Sequence, residues 1–188
     1  MKILDVTPLA IPDVKLIRFA RFEDERGFFT EPYRQSQLQE VIGAPIVQMN
    51  ESYSRAGVLR GLHFQWNPYM GKLVRIIYGE MDDLTMDIRL GSPTFGKIVS
   101  QLMAPGGRNI DEWLWVPPGF AHGNYFNDNS HIEYLCTGEY NPDCEACIRA
   151  SYRRRDSIVS DKDRHGMTLE QWKNDPRSEN FRYPMVTP

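Results

Sequence analysis

Turn signals recur at close spacing through the middle of the chain and leave room only for short strands. Tyr78-Gly79-Glu80, Leu90-Gly91-Ser92-Pro93 and Pro105-Gly106-Gly107 each carry the glycine or proline that reverses a backbone. Between the first two, Leu84, Met86 and Ile88 alternate with Thr85, Asp87 and Arg89, the two-residue period of a half-buried strand. Lys72 to Tyr78 and Ile98 to Met103 read similarly. Helical signals are confined to SQLQEVI (Ser36 to Ile42), with Ser36 as N-cap and Gly43 as stop, and to a short stretch around Thr168 to Lys173. The pattern predicts an all-β chain, an antiparallel sandwich or barrel of jelly-roll type with short peripheral helices and a polar C-terminal tail. A length of 188 residues suits one domain, divided into N-terminal strands and a short helix (1–50), a barrel core (51–150) and the tail (151–188).

Composition narrows the class of function. With 41% hydrophobic and 25% charged residues the chain is globular, and no apolar run is long enough to span a membrane. The opening stretch MKILDVTPLAIPDV is broken by Asp5, Pro8 and Pro12, so no signal peptide is expected and a cytoplasmic location is the default. A net charge of −3 argues against generic nucleic-acid binding, which needs a surplus of cations. The run Arg153 to Arg155 is followed by Asp156, Asp161 and Asp163 and reads as a solvated, ion-paired surface. Three cysteines are present, of which Cys144 and Cys147 form a C-x-x-C pair. Without a second paired motif or a strand-to-helix context, that pair points to neither structural zinc nor a redox site. The odd count suits reduced thiols.

Several side chains stand out chemically. His63 lies in QMNESYSRAGVLRGLHFQ (Gln48 to Gln65), where polar and apolar residues mix as they do on a ligand-facing wall. A lone histidine on a strand is more often structural than catalytic, so this stretch alone does not single it out for catalysis. Strict alternation places Arg60 and His63 on opposite faces, so both reach one ligand only if Gly61 permits a bulge or a second subunit contributes. His122 follows the Pro117-Pro118-Gly119 turn, at what would be a barrel mouth. In His131 to Cys136, Ile132, Tyr134 and Cys136 share one face. Tyr134 there is either a core tyrosine or a functional one. Arg26, Phe28, Phe29 and Glu31 place a cation, two aromatics and an acid within six positions, which fits either a hairpin with a buried aromatic pair or a lip that stacks a planar ring.

Read together, RGFFTEPY (Arg26 to Tyr33), QMN (Gln48 to Asn50), GVLRGLHFQ (Gly57 to Gln65), KLVRIIYGE, MDIRLGSPTFGK, PPGFAHG, YLCT (Tyr134 to Thr137) and SDKD (Ser160 to Asp163) resemble the dTDP-4-dehydrorhamnose 3,5-epimerase family. The ordered resemblance runs from about Asp24 to Asp163. It implies a cupin-type jelly roll, a homodimer with strand exchange, a nucleotide-sugar substrate and no metal or organic cofactor. It further implies that His63 is the base oriented by Asp163, that Tyr134 is the acid on the opposite face of the sugar, and that Lys72 lies near the C4 ketone oxygen. Arg60 and His122 would line the same pocket. Arg26, Phe28, Phe29 and Glu31 would reach the nucleotide from a neighbouring subunit, with Gln48, Asn50 and Tyr140 as further contacts.

The residue types suit such chemistry. A 4-keto sugar has acidified C–H bonds at C3 and C5, and inversion needs one group to remove a proton and another, on the opposite face, to return one. Histidine, with an ordinary pKa of about 6.5, and tyrosine, at about 10, are suited to these parts. Metal-binding cupins place H-x-H and a glutamate in their first motif, whereas His63 is followed by Phe64-Gln65; three metal ligands are not expected to assemble. The chain departs from the family pattern in a shorter loop between His63 and Lys72, and in CIRASYRRRDSIV standing where a tryptophan-and-proline strand is usual.

Overall fold

The computed structural model describes residues 1–107, 109–149 and 156–185. The run Arg153 to Arg155 lies outside the described residues. In chain order the strands are β1 (Ile3–Pro8), β2 (Lys15–Asp24), β3 (Gly27–Thr30), β4 (Gln48–Ser54), β5 (Val58–Gln65) and β6 (Lys72–Tyr78). There follow β7 (Met81–Asp87), β8 (Ile98–Met103), β9 (Ile110–Val116), β10 (Phe120–Phe126), β11 (Ser130–Cys136), β12 (Glu145–Cys147) and β13 (Ile158–Val159). Helix α1 (Gln35–Ile42) precedes β4, and α2 (Asp161–Arg164) and α3 (Leu169–Lys173) follow β13.

Two sheets face one another, the expected all-β jelly-roll architecture. One runs β1-β2-β9-β6-β11-β4, with β3 hairpinned onto β2; the other runs β12-β5-β10-β7-β8, with β13 added in parallel to β5. Side chains alternate between the sheet faces, so a strand buried on both sides, such as β6 or β9, feeds two different cores. Val74, Ile76, Met81, Leu114, Phe120, Phe126 and Ile132 point between the sheets. Outside the first sheet, Ile17, Phe19, Leu73, Trp113, Trp115 and Leu135 pack under Leu38 of α1.

The outer face of the second sheet corrects the reading of β7 as half-buried. Leu84, Met86 and Ile88 pack against Trp172 of α3 and Phe181, both fully buried, while Asp83, Thr85 and Asp87 are buried on the other side. The tail is polar at its surface but supplies these two aromatics to a cluster with Phe64, whose ring lies 4.6 Å from Trp172 and 5.6 Å from Phe181. Burying each such side chain contributes roughly 1.5–3 kcal/mol, enough to fix the tail and with it Asp163. Helix α1 differs by one detail: Arg34, whose backbone is extended, and not Ser36 is its N-cap, and Gly43 closes the helix in the left-handed conformation as expected.

Candidate active site

β5 carries the central residues, and its alternation is broken. His63 pairs with His122 of β10, but Arg60 pairs with Asn124, so two residues of β5, Gly61 and Leu62, stand against Gly123 alone. That bulge sits at Gly61, whose φ of 107° disfavours a side chain and whose missing Cβ would stand 2.7 Å from the His122 carbonyl oxygen and Gly123 Cα. Leu59 and Leu62 therefore both face the outer cluster, and Arg60 and His63 both line the cavity. The bulge anticipated at Gly61 suffices within one chain.

The cavity has a volume of about 550 Å³ and is lined by Arg60, His63, Lys72, His122, Tyr134 and Asp163, among others. A smaller hollow of about 310 Å³ shares His63, Lys72, His122 and Tyr134 and adds Gln48, Asn50, Tyr140 and Glu145. His63 belongs to the second sheet and Tyr134 and Lys72 to the first, so base and acid candidates stand on facing walls.

Asp163 arrives from α2, whose N-cap Ser160 accepts a hydrogen bond from the Asp163 amide. Its Oδ1 lies 2.6 Å from His63 Nε2 and its Oδ2 accepts from the Gly61 amide at 3.1 Å. Burial alone would raise this carboxyl, but the hydrogen bond and charge of His63, with the Gly61 and Ser160 donors, outweigh it and hold the pKa below the ordinary range. An ionised Asp163 assigns the Nε2 proton of neutral His63 to the side facing it, leaving Nδ1 as the free acceptor. Nδ1 lies 4.0 Å from Glu145 Oε1.

Tyr134 is half-buried, and desolvation, with the Cys136 thiol and Glu145 nearby and only Arg60 opposing them, raises its pKa, so the phenol holds its proton. Lys72 is enclosed; burial lowers its pKa, against the opposing pull of Cys136, Glu145 and Asp83. Arg60 is steadied at the rim by bonds to Ser54 Oγ at 2.9 Å and the Tyr53 carbonyl at 3.3 Å. Gln48 donates to Asn50 at 3.0 Å and accepts from the Tyr140 amide at 2.8 Å. His122 Nε2 is 2.8 Å from Asp83 Oδ2, which also accepts from Asn124 at 2.9 Å.

One predicted group is elsewhere. Arg26, Phe28, Phe29 and Glu31 do not line the cavity of their own chain. Arg26 pairs with Asp24, Glu31 with Arg34 and the N-terminus, and Phe28 and Phe29 are 58% and 69% exposed on the β2–β3 hairpin. The buried aromatic pair of the alternative hairpin reading is thereby excluded. Two cavity-lining residues, and one buried behind them, carry little mark in the sequence. Lys162 lies within the quoted SDKD and lines the larger hollow, and its ammonium contacts Glu145, whose carboxylate accepts from the Tyr140 hydroxyl at 3.1 Å. Glu145 stands between the two cysteines of the C-x-x-C pair, whose own chemistry masks it. Asp83 has one signal, as an acid on the inward face of β7.

Residues 8–171 match the sequence profile described as dTDP-4-dehydrorhamnose 3,5-epimerase. This chain belongs to that family. The epimerase of Pseudomonas aeruginosa is 40% identical over 174 residues, covering 87% of this chain and 94% of the relative. That of Neisseria gonorrhoeae is 44% identical over 147 residues, 77% of this chain and 44% of that longer relative. The crystal structure of dTDP-6-deoxy-D-glucose-3,5-epimerase from Legionella pneumophila Philadelphia 1, in complex with dTDP-4-keto-L-rhamnose, superposes with a TM-score of 0.85 at 34% identity, covering 97% of this chain and 99% of the other. The cupin-type jelly roll and the epimerase class are those of the family. No helix among the described residues is long and apolar enough to cross a membrane.

Proposed function

We propose that this chain inverts C3 and C5 of dTDP-4-keto-6-deoxy-D-glucose, the epimerase step of rhamnose-type deoxysugar biosynthesis. The observation that carries this reading is the convergence of the His63–Asp163 dyad and Tyr134 on one cavity from facing sheets. Neutral His63 takes the proton from C3 or C5 at Nδ1, and Asp163 stabilises the imidazolium that results. The electrons move to the C4 oxygen, where the Lys72 ammonium meets the enolate; one such donor is worth roughly 3 kcal/mol. Tyr134 then delivers its proton to the opposite face of the carbon.

Because the substrate's own ketone acidifies the C–H bonds, the base, acid and electrophile of the chain complete the reaction without a cofactor. Arg60 and Lys162 on the larger hollow suit the diphosphate, Arg60 through its forked donors. Gln48, Asn50 and Tyr140 bind from the smaller hollow. The active unit is a homodimer with exchanged strands in which Arg26, Phe28, Phe29 and Glu31 of one copy reach the nucleotide in the other; the exposure of both phenylalanines away from their own cavity supports this. Its place is the cytoplasm, in keeping with three free cysteines, and neither nucleic acid nor membrane is a partner.

The test is proton exchange in deuterium oxide, followed by NMR on dTDP-4-keto-6-deoxy-glucose. Deuterium entering at C3 and C5, and not with His63→Ala, is expected. Entry at a single carbon would make this a one-centre epimerase, and no exchange despite tight binding would leave a nucleotide-sugar-binding cupin.

A further inference from the structure

Beside the dyad sits a group that proton transfer does not use. Cys147 Sγ, on β12, lies 3.8 Å from Asp163 Oδ1, the same oxygen that His63 Nε2 approaches at 2.6 Å. β12 pairs directly with β5, with Cys147 opposite His63, so the thiol is held there by the sheet. Each of the three residues offers one ligand atom, and these atoms lie within 4.8 Å of one another. Cys147 and Asp163 are buried, while His63 opens onto the cavity, which gives an ion a way in.

We propose that His63, Asp163 and Cys147 form a binding site for a thiophilic divalent cation of the zinc class, and that its occupation switches the base off. Imidazole, carboxylate and thiolate are the ligand types such ions take, with bonds of about 2.0–2.3 Å, so closing the set needs only small side-chain shifts. Three protein ligands leave a fourth position open to the cavity. The thiol is pushed up to about 12 by burial and the neighbouring Asp163 charge, and is a neutral S–H until an ion arrives. On binding, the cation displaces the thiol proton to solvent and the thiolate charge is neutralised by the metal. At His63 the metal takes the Nε2 lone pair, and the ring's single proton moves to Nδ1. The nitrogen facing the sugar then has no lone pair and cannot accept a proton. In sequence the C-x-x-C pair has no partners for a metal; the fold supplies two of them to Cys147, from β5 and α2.

The inhibitory half rests on His63 acting as the base, and the binding half does not. The protein is freed of metal with EDTA and titrated with cobalt(II), whose bond to a thiolate gives a near-ultraviolet charge-transfer band. One equivalent should produce the band, zinc(II) should bleach it, and zinc(II) should stop C3 and C5 exchange until EDTA restores it. Cys147→Ala should abolish the band and weaken cobalt binding at least about tenfold, while Cys144→Ser should keep both. Cys147→Ser, which preserves volume, should also lose the band, so a poorly folding alanine variant leaves the site testable. No band in the parent protein, a band surviving in Cys147→Ser, or one lost with Cys144→Ser overturns the site. A band with exchange unaffected by zinc overturns the inhibition. If the metal-free protein shows no exchange, the proposed function has failed, and the cobalt titration still decides the site.

Discussion

Two histidines of this cavity each contact a carboxylate, and the contrast between them shows how differently one fold can hold the same pair of groups. His122 and Asp83 come from adjacent strands of one sheet, and their side chains are 7% and 0% exposed. Asn124 adds a second donor to the same oxygen of Asp83. His63 and Asp163 are 100 residues apart, and the histidine side chain is 27% exposed while its partner stays at 5%. A hydrogen-bonded polar pair enclosed in this way is rigid and holds its neighbours in place. Of the two histidines, the more exposed His63 is the better placed to exchange a proton with a ligand. The difference comes from the bulge at Gly61, which turns His63 inward and offers its own amide to Asp163.

The contrast is broken if the two histidines respond alike. His63→Ala should lower turnover roughly a hundred- to ten-thousand-fold, the usual weight of a positioned base, whereas His122→Ala should raise KM more than it lowers kcat; steady-state kinetics separate the two. Next in size, Lys72→Met should cost about a hundredfold in kcat, as loss of an enolate-facing donor does, with substrate still bound, which calorimetry of the variant with the nucleotide sugar can confirm. Asp83→Asn should act mainly on stability. Leaving His122 or Asn124 without its acceptor costs about 1–3 kcal/mol, read from urea midpoints, and Asp163→Asn should lose activity far more than stability.

The smallest effect is a pH dependence. Asp163 titrates below its unfolded value, so its contribution to stability is full above the unfolded carboxylate pKa of about 3.9 and is lost as pH falls through the lower folded value. Urea midpoints between about pH 5 and pH 2 should fall less steeply in Asp163→Asn than in the parent chain.

Much of this site is legible in the amino-acid sequence. Ile132, Tyr134 and Cys136 share the inward face because side chains of a strand alternate, and the tension between Arg60 and His63 points to Gly61. Asp163 is readable only through family resemblance, since within SDKD it has the look of a surface acid, and its burial depends on an N-cap at Ser160 and a contact with β5. Glu145 and Lys162 are hard to read because a charged side chain in a strand or loop carries no local mark of the cavity it will face, and Asp83 because nothing local shows that it will be buried against His122.

Local alternation, turn residues and side-chain chemistry are properties of short stretches of chain, so the class of fold, the strand periods and the chemical types at the site follow from the order of residues. Three features do not follow from it: that the tail's Trp172 and Phe181 cover β7, that His63 is more exposed than His122, and that Cys147 stands against the dyad. Those are long-range pairings, made by sheet register and packing between segments up to 100 residues apart, and local patterns do not encode them.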